Sequence, residues 1–129
     1  MAEEGASRVR EAVTTADVIA SSALAFVEAR AALARRRGRR ELPPNDYRRI
    51  VHDFREDWRR YFKVRVSESM LITAGDLAEA YRLRAYDAIH LASALALEER
   101  FGERPTFACW DRALNEAAMR EGLPLLRPD

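Results

Sequence analysis

Three acidic residues occupy positions where a carboxylate needs a reason. Asp87 opens a run, 88–97, that is apolar on every side except at His90 and Ser93. A helix that is greasy all round belongs inside a protein, yet this one carries a carboxylate in its first turn and a histidine on the same face one turn on. Glu28 has Leu24, Ala25, Ala31 and Ala32 three and four residues away, and Leu24, Val27 and Ala31 read as its helix's core-facing stripe. A carboxylate set in such a stripe is costly to bury unless it is paired or binds a metal. Asp111 closes the apolar stretch 106–110 and opens a helix. Each position also has a structural reading: a salt bridge to an arginine or a place at the stripe's edge for Glu28, and a helix N-terminus favourable to Asp for Asp87 and Asp111. Together they say more. Three carboxylates gathered at one rim repel one another and require cations. Their oxygens suit Mg²⁺ or Mn²⁺, not zinc. A hydrated cation of that kind activates water and stabilises a phosphoryl transition state.

The elements that must position them follow from periodicity and punctuation. The pattern predicts a helix over 3–13, a short strand over 16–21, and a helix from Ser21 or Ser22 to about Arg37 with Gly38 as its stop. Leu42-Pro43-Pro44-Asn45-Asp46 turns into a helix on which Tyr47, Ile50, Val51, Phe54 and Trp58 recur. Phe62, Val64 and Val66 alternate with Lys63 and Arg65, as in an edge strand with one wet face. Ser67 caps a helix through Tyr81, and the apolar helix runs from Tyr86 to about Phe101. Gly102-Glu103-Arg104-Pro105 is a turn, 106–110 a short buried strand, 112–120 a helix stopped by Gly122, and 123–126 a last strand. Alternating strands and helices predict a parallel sheet wrapped by helices, with sites beyond the carboxyl ends of the strands.

Composition narrows the class. A chain of 129 residues suffices for one domain, and 48% hydrophobic with 33% charged residues argues against extended disorder. No apolar run approaches the roughly 20 residues of a membrane span, and Met1-Ala2-Glu3-Glu4-Gly5 has no secretory character. Cys109 is the single cysteine. It reads as a buried core thiol, and the expected compartment is the cytoplasm. A net charge of +1 provides no global field for nucleic acid. Arg35-Arg36-Arg37-Gly38-Arg39-Arg40 is a local basic cluster that fits either phosphate binding or a helix C-terminus. The stripe Tyr47, Phe54, Trp58, Tyr61 reads as core or interface rather than a base-stacking platform.

Three segments carry a likeness. Leu24-Ala25-Phe26-Val27-Glu28-Ala29-Arg30, Leu83-Arg84-Ala85-Tyr86-Asp87-Ala88-Ile89-His90-Leu91-Ala92, and Trp110-Asp111-Arg112-Ala113-Leu114 followed by Ala117-Ala118 resemble PIN-domain proteins, above all the VapC-type toxins of toxin–antitoxin pairs. The resemblance implies a three-layer α/β/α PIN-like domain with a parallel sheet and Mg²⁺- or Mn²⁺-dependent cleavage of RNA. It also implies a cognate antitoxin and commonly a homodimer. Glu28, Asp87 and Asp111 match the second, third and fourth of the family's four acids. Asn115 would assist a water or ligand, and Arg84 and His90 fall beside the site, His90 as a hydrogen-bonded histidine at the end of a core helix. The likeness departs at the start. The family's N-terminal strand, ending in its first acid, has no counterpart, and Asp17 opens a strand at the wrong edge. The expectation is a single N-terminally truncated domain, 1–129, with weakened metal affinity and low or absent activity. The alternatives are strands that close up or are completed by a partner, and a degenerate copy acting only as a binding module. A metal-dependent phosphohydrolase outside RNA chemistry is a third reading.

Overall fold

In the computed structural model of the chain, described over residues 2–126 with side chains from residue 7, the core is arranged about one buried helix. The helices are α1 (Ala2–Thr15), α2 (Ala25–Gly38), α3 (Pro44–Arg60), α4 (Glu68–Tyr81), α5 (Ala85–Phe101) and α6 (Arg112–Arg120), and the strands are β1 (Ala20–Ser22) and β2 (Phe62–Val64). Helix α5 buries Ala88, Leu91, Ala92, Ser93, Ala94 and Leu97, and Leu91 has no exposed surface at all. The one polar group in that set, Ser93, donates its hydroxyl to the Ile89 carbonyl at 2.7 Å, so no donor is stranded. Gly102 ends the helix in the left-handed conformation (φ 76°), donating its N–H to the Glu98 carbonyl.

Helix α4 covers one side of α5 with Met70, Ala74 and Leu77. Its start is the predicted cap: the Ser67 hydroxyl accepts the Met70 N–H at 3.2 Å. On α6, Leu114, Ala117 and Ala118 complete the core. The opposite face of α5 meets β1 and β2. These strands run parallel, with Ala20, Ser21 and Ser22 opposite Phe62, Lys63 and Val64. The Phe62 N–H reaches the Ile19 carbonyl, and the Ala23 N–H the Val64 carbonyl.

The sheet is smaller than the sequence predicts. The strand expected at 16–21 is three residues at 20–22. The strands expected at 106–110 and 123–126 reduce to a single parallel bridge between Phe107 and Leu125. Phe107 gives its N–H to Pro124 and accepts from Leu126, so its pairing capacity is used on one side. Strand ladders lengthen when both edges are paired, and no hydrogen-bonded ladder joins β1–β2 to the bridge among the described residues.

Helices α2 and α3 pack chiefly on each other. Phe26 of α2 stacks on Phe54 at 5.6 Å and meets Trp58 at 5.4 Å, and Tyr61 lies edge-on to Trp58. The aromatic stripe is therefore mortar between two helices, as read from sequence. Tyr47 lies apart from it, beneath the Arg37 guanidinium. The first turn of α2 differs from the expected one: Ser22 does not cap the helix but accepts the Leu24 N–H at 3.2 Å, holding the turn that precedes Ala25.

Candidate functional site

Asp87 stands in the first turn of α5, partly buried, where free N–H groups and the helix dipole favour negative charge. Tyr86 beside it is stacked on His90, with ring centroids 6.1 Å apart. Its hydroxyl is pushed up first by burial, then by the charges of Glu28 and Asp87. Two of the three carboxylates thus act on one phenol, although 59 residues separate them in sequence.

Asp111 is the N-cap of α6, its carboxylate accepting the Leu114 N–H at 2.9 Å. The residues around it are tied together. Asn115 donates its side-chain amide to the Cys109 carbonyl at 3.0 Å, and the Cys109 thiol donates to the Asp111 carbonyl at 3.5 Å. Burial pushes the Cys109 thiol up, with smaller contributions of opposite sign from the Asp111 backbone and from the Asp111 and Asp87 charges. The thiol stays protonated at neutral pH and is no nucleophile.

The bonding geometry is looser than the sequence argument requires. Among the described residues no three of His, Cys, Asp and Glu are arranged to hold a metal ion. The donor chemistry still fits a hard cation, because Glu28, Asp87 and Asp111 offer only carboxylate oxygens. The Asn115 side-chain oxygen, one turn from Asp111, is buried without a hydrogen-bond partner.

Three expectations about single residues are corrected. Glu28 is exposed, not set in an apolar stripe, and Val27 beside it is 64% exposed. The cause is Phe26: its contacts with Phe54 and Trp58 roll α2 so that Phe26, Ala29 and Leu33 lie on the sheltered side. Glu28 therefore stands in solvent without needing a partner, and its charge, with that of Asp87, adds to the upward push on the Tyr86 hydroxyl. His90 is not hydrogen-bonded through Nδ1, which is buried without a partner. The ring is held by Tyr86 and by Phe107, at 5.4 Å. Burial lowers its pKa, with Asp87 pulling the other way, so it is neutral at pH 7. Cys109, read as a core thiol, is only partly buried.

Arg84 is exposed at the N-cap position of α5 and makes no ion pair among the described residues. A cation there is free to meet an anion arriving at Asp87. Sequence reasoning gives no role to Tyr86 or Trp110. Tyr86 lies inside a quoted motif but shows no signal of its own. Trp110, 62% exposed next to Asp111, is the kind of exposed aromatic that stands out once burial is known.

The comparisons with known proteins agree with this architecture. The PIN domain model matches residues 2–101, which include Glu28 and Asp87 but not Asp111. Two proteins of Mycobacterium tuberculosis are each 34% identical over 120 residues, covering 93% of this chain and 81% of theirs: Ribonuclease VapC45 of strain CDC 1551 / Oshkosh and Ribonuclease VapC49 of strain H37Rv. Likeness on that scale, over a fold built round the same helix that carries Asp87, places the chain in the PIN-domain family, among its VapC-like members.

Proposed function

We propose that the chain is a VapC-like endoribonuclease that hydrolyses RNA phosphodiester bonds at the rim formed by Glu28, Asp87 and Asp111. The observation that supports this reading is the match of the PIN domain model over residues 2–101, a span that holds Glu28 and Asp87 in the first turns of α2 and α5, with Asp111 beyond it as the N-cap of α6. The names of the two mycobacterial relatives support the substrate class. Glu28, Asp87 and Asp111 would hold Mg²⁺ or Mn²⁺. Bound there, such an ion supplies acidity to a water and neutralises charge developing on phosphate. The chain's own groups do the rest. The α5 N-terminus steadies the Asp87 carboxylate, the Asp111 cap fixes that side chain against α6, and Asn115 offers an acceptor that orients a water. Arg84 meets a non-bridging phosphate oxygen. Neither the Cys109 thiol nor the Tyr86 hydroxyl is ionised at neutral pH, so water is the nucleophile that this set of residues favours.

The chain acts in this reading as one domain in the cytoplasm, pairing with a cognate antitoxin and with a second copy of itself. A lone cysteine suits a reducing compartment. No helix among the described residues is long and apolar enough to cross a membrane. The direct test is cleavage of structured RNA with Mg²⁺ and with a chelator, using the intact chain and Asp87→Asn. Robust cleavage left unchanged by Asp87→Asn refutes the assignment. A second reading, a PIN-like binding module without catalysis, is favoured by the lack of a three-ligand group among the described residues. It predicts antitoxin capture with no Mg²⁺-dependent cleavage.

A further inference from the structure

We propose that the α2–α3 hairpin is a phosphate-backbone surface that grips RNA flanking the cleavage point, with Arg35 taking a phosphate two helical turns from Glu28. The inference rests on the nuclease reading for the identity of the polymer, and adds how the substrate is held.

Charge is the first observation. The whole chain balances 22 basic against 21 acidic residues, but residues 30–65 carry 13 against 5, a net of +8, leaving −7 for the remainder. Eleven of these thirteen cations lie on α2, α3 and their connection, which pack chiefly on each other; with six acidic residues over 25–60 the hairpin itself carries a net of +5. Few of them are compensated. Arg39 pairs with Glu41 at 3.3 Å, Arg49 with Asp46 at 3.9 Å and Arg59 with Glu56 at 3.7 Å, all among exposed side chains. Arg30, Arg37 and Lys63 lie over aromatic rings. Arg35, Arg36 and Arg40 are exposed and have neither an ion pair nor a ring contact among the described residues. The helix dipole does not account for them: it amounts to roughly half an elementary charge and acts over the last turn only, whereas the excess here is +8 and extends along α3 into β2. Clustered like charges without counterions mark a surface made for a polyanion.

Spacing is the second observation. Glu28 and Arg35 are seven residues apart on one helix, hence on the same face, and both are exposed. At about 1.5 Å of rise per residue the separation along the axis is roughly 10 Å, within the reach of the backbone that flanks a bound phosphate. A polymer with its scissile phosphate at the carboxylate rim runs onto Arg35, with Arg36 about a quarter turn round the helix and Arg40 past its end. Arg40 is presented there by a left-handed backbone, φ 60°.

The experiment measures binding without turnover. A fluorescently labelled RNA stem-loop is titrated with the full chain in EDTA across a series of KCl concentrations, and compared with the triple variant Arg35→Gln, Arg36→Gln, Arg40→Gln. The expected result is a log K against log[KCl] slope that is shallower by about 2 to 3, and binding weaker by roughly 100-fold at 0.1 M salt. The matching triple Arg→Lys variant is expected to keep the slope, which separates lost charge from lost fold. An unchanged slope in the Gln variant, with the intact chain binding tightly, overturns the surface and leaves the nuclease reading standing. A hairpin-dependent slope without Mg²⁺-dependent cleavage supports the surface and removes the nuclease. Tight, salt-steep binding of polyglutamate in place of RNA overturns the proposal in favour of an acidic protein partner.

Discussion

Asp111 holds two positions at once, and two substitutions separate them. Its carboxylate accepts the Leu114 N–H at 2.9 Å as the N-cap of α6, and it is also the acid proposed for the rim. Asn caps about as well as Asp, whereas Ala removes the acceptor at a cost of about 0.5 to 2 kcal/mol. For 129 residues at about 2.1 cal/mol/K each, the unfolding entropy is roughly 0.27 kcal/mol per kelvin. Asp111→Ala is therefore expected to lower Tm by about 2 to 7 °C, and Asp111→Asn by under about 2 °C. Calorimetry reads the first quantity, and RNA cleavage in Mg²⁺ reads the second. Both variants should lose most activity, because an amide is a poor substitute for a carboxylate ligand. Equal melting losses for the two variants would refute the capping argument. Full cleavage by the stable Asp111→Asn protein would refute the role at the rim.

Other outcomes follow from the same geometry. The folded pKa of His90 lies below the ordinary 6.5 because of burial, so the unfolded chain binds its proton first. Stability is then complete above about pH 6.5 and falls as the pH drops through that value towards the lower folded pKa. Urea midpoints at pH 7.5 and 5.5 should show the loss, and His90→Gln should reduce it. Leu91→Ala, at a site with no exposed surface, is expected to cost about 2 to 5 kcal/mol in urea denaturation, and a loss below about 1 kcal/mol would contradict the central place of α5. Trp110→Ala should raise KM for RNA about 5-fold or more with kcat little changed, as loss of a stacking face worth about 1–3 kcal/mol predicts. A fall confined to kcat would place the indole elsewhere in the cycle.

Legibility in the sequence follows the strength of the local signal. Helix α4 has Ser67 before it and a clear apolar period, and α5 is apolar enough to place itself at the centre. Both ends are readable because caps act over a single turn. Asp111 is readable as a boundary for the same reason. Helix α2 misleads because alanine fits either face, so Ala25, Ala29, Ala31, Ala32 and Ala34 give no direction. The orientation comes instead from Phe26 meeting α3, a tertiary contact that no window of sequence contains. The strands come out too long because alternation shows what could pair, while ladder length depends on neighbours. Tyr86 escapes notice because the charge of Glu28 reaches it from elsewhere in the chain, and Trp110 because only the fold fixes its exposure.

The basic hairpin has one more consequence, for handling and encounter. A protein with a formal charge of +1 behaves as a neutral particle only from afar. Closer than a Debye length, about 8 Å at physiological ionic strength, it presents two poles. It should adhere to cation- and anion-exchange resins alike, stick pole to pole in dilute buffer, and disperse once salt is added. A charged surface in its path turns it like a compass needle before any contact is made.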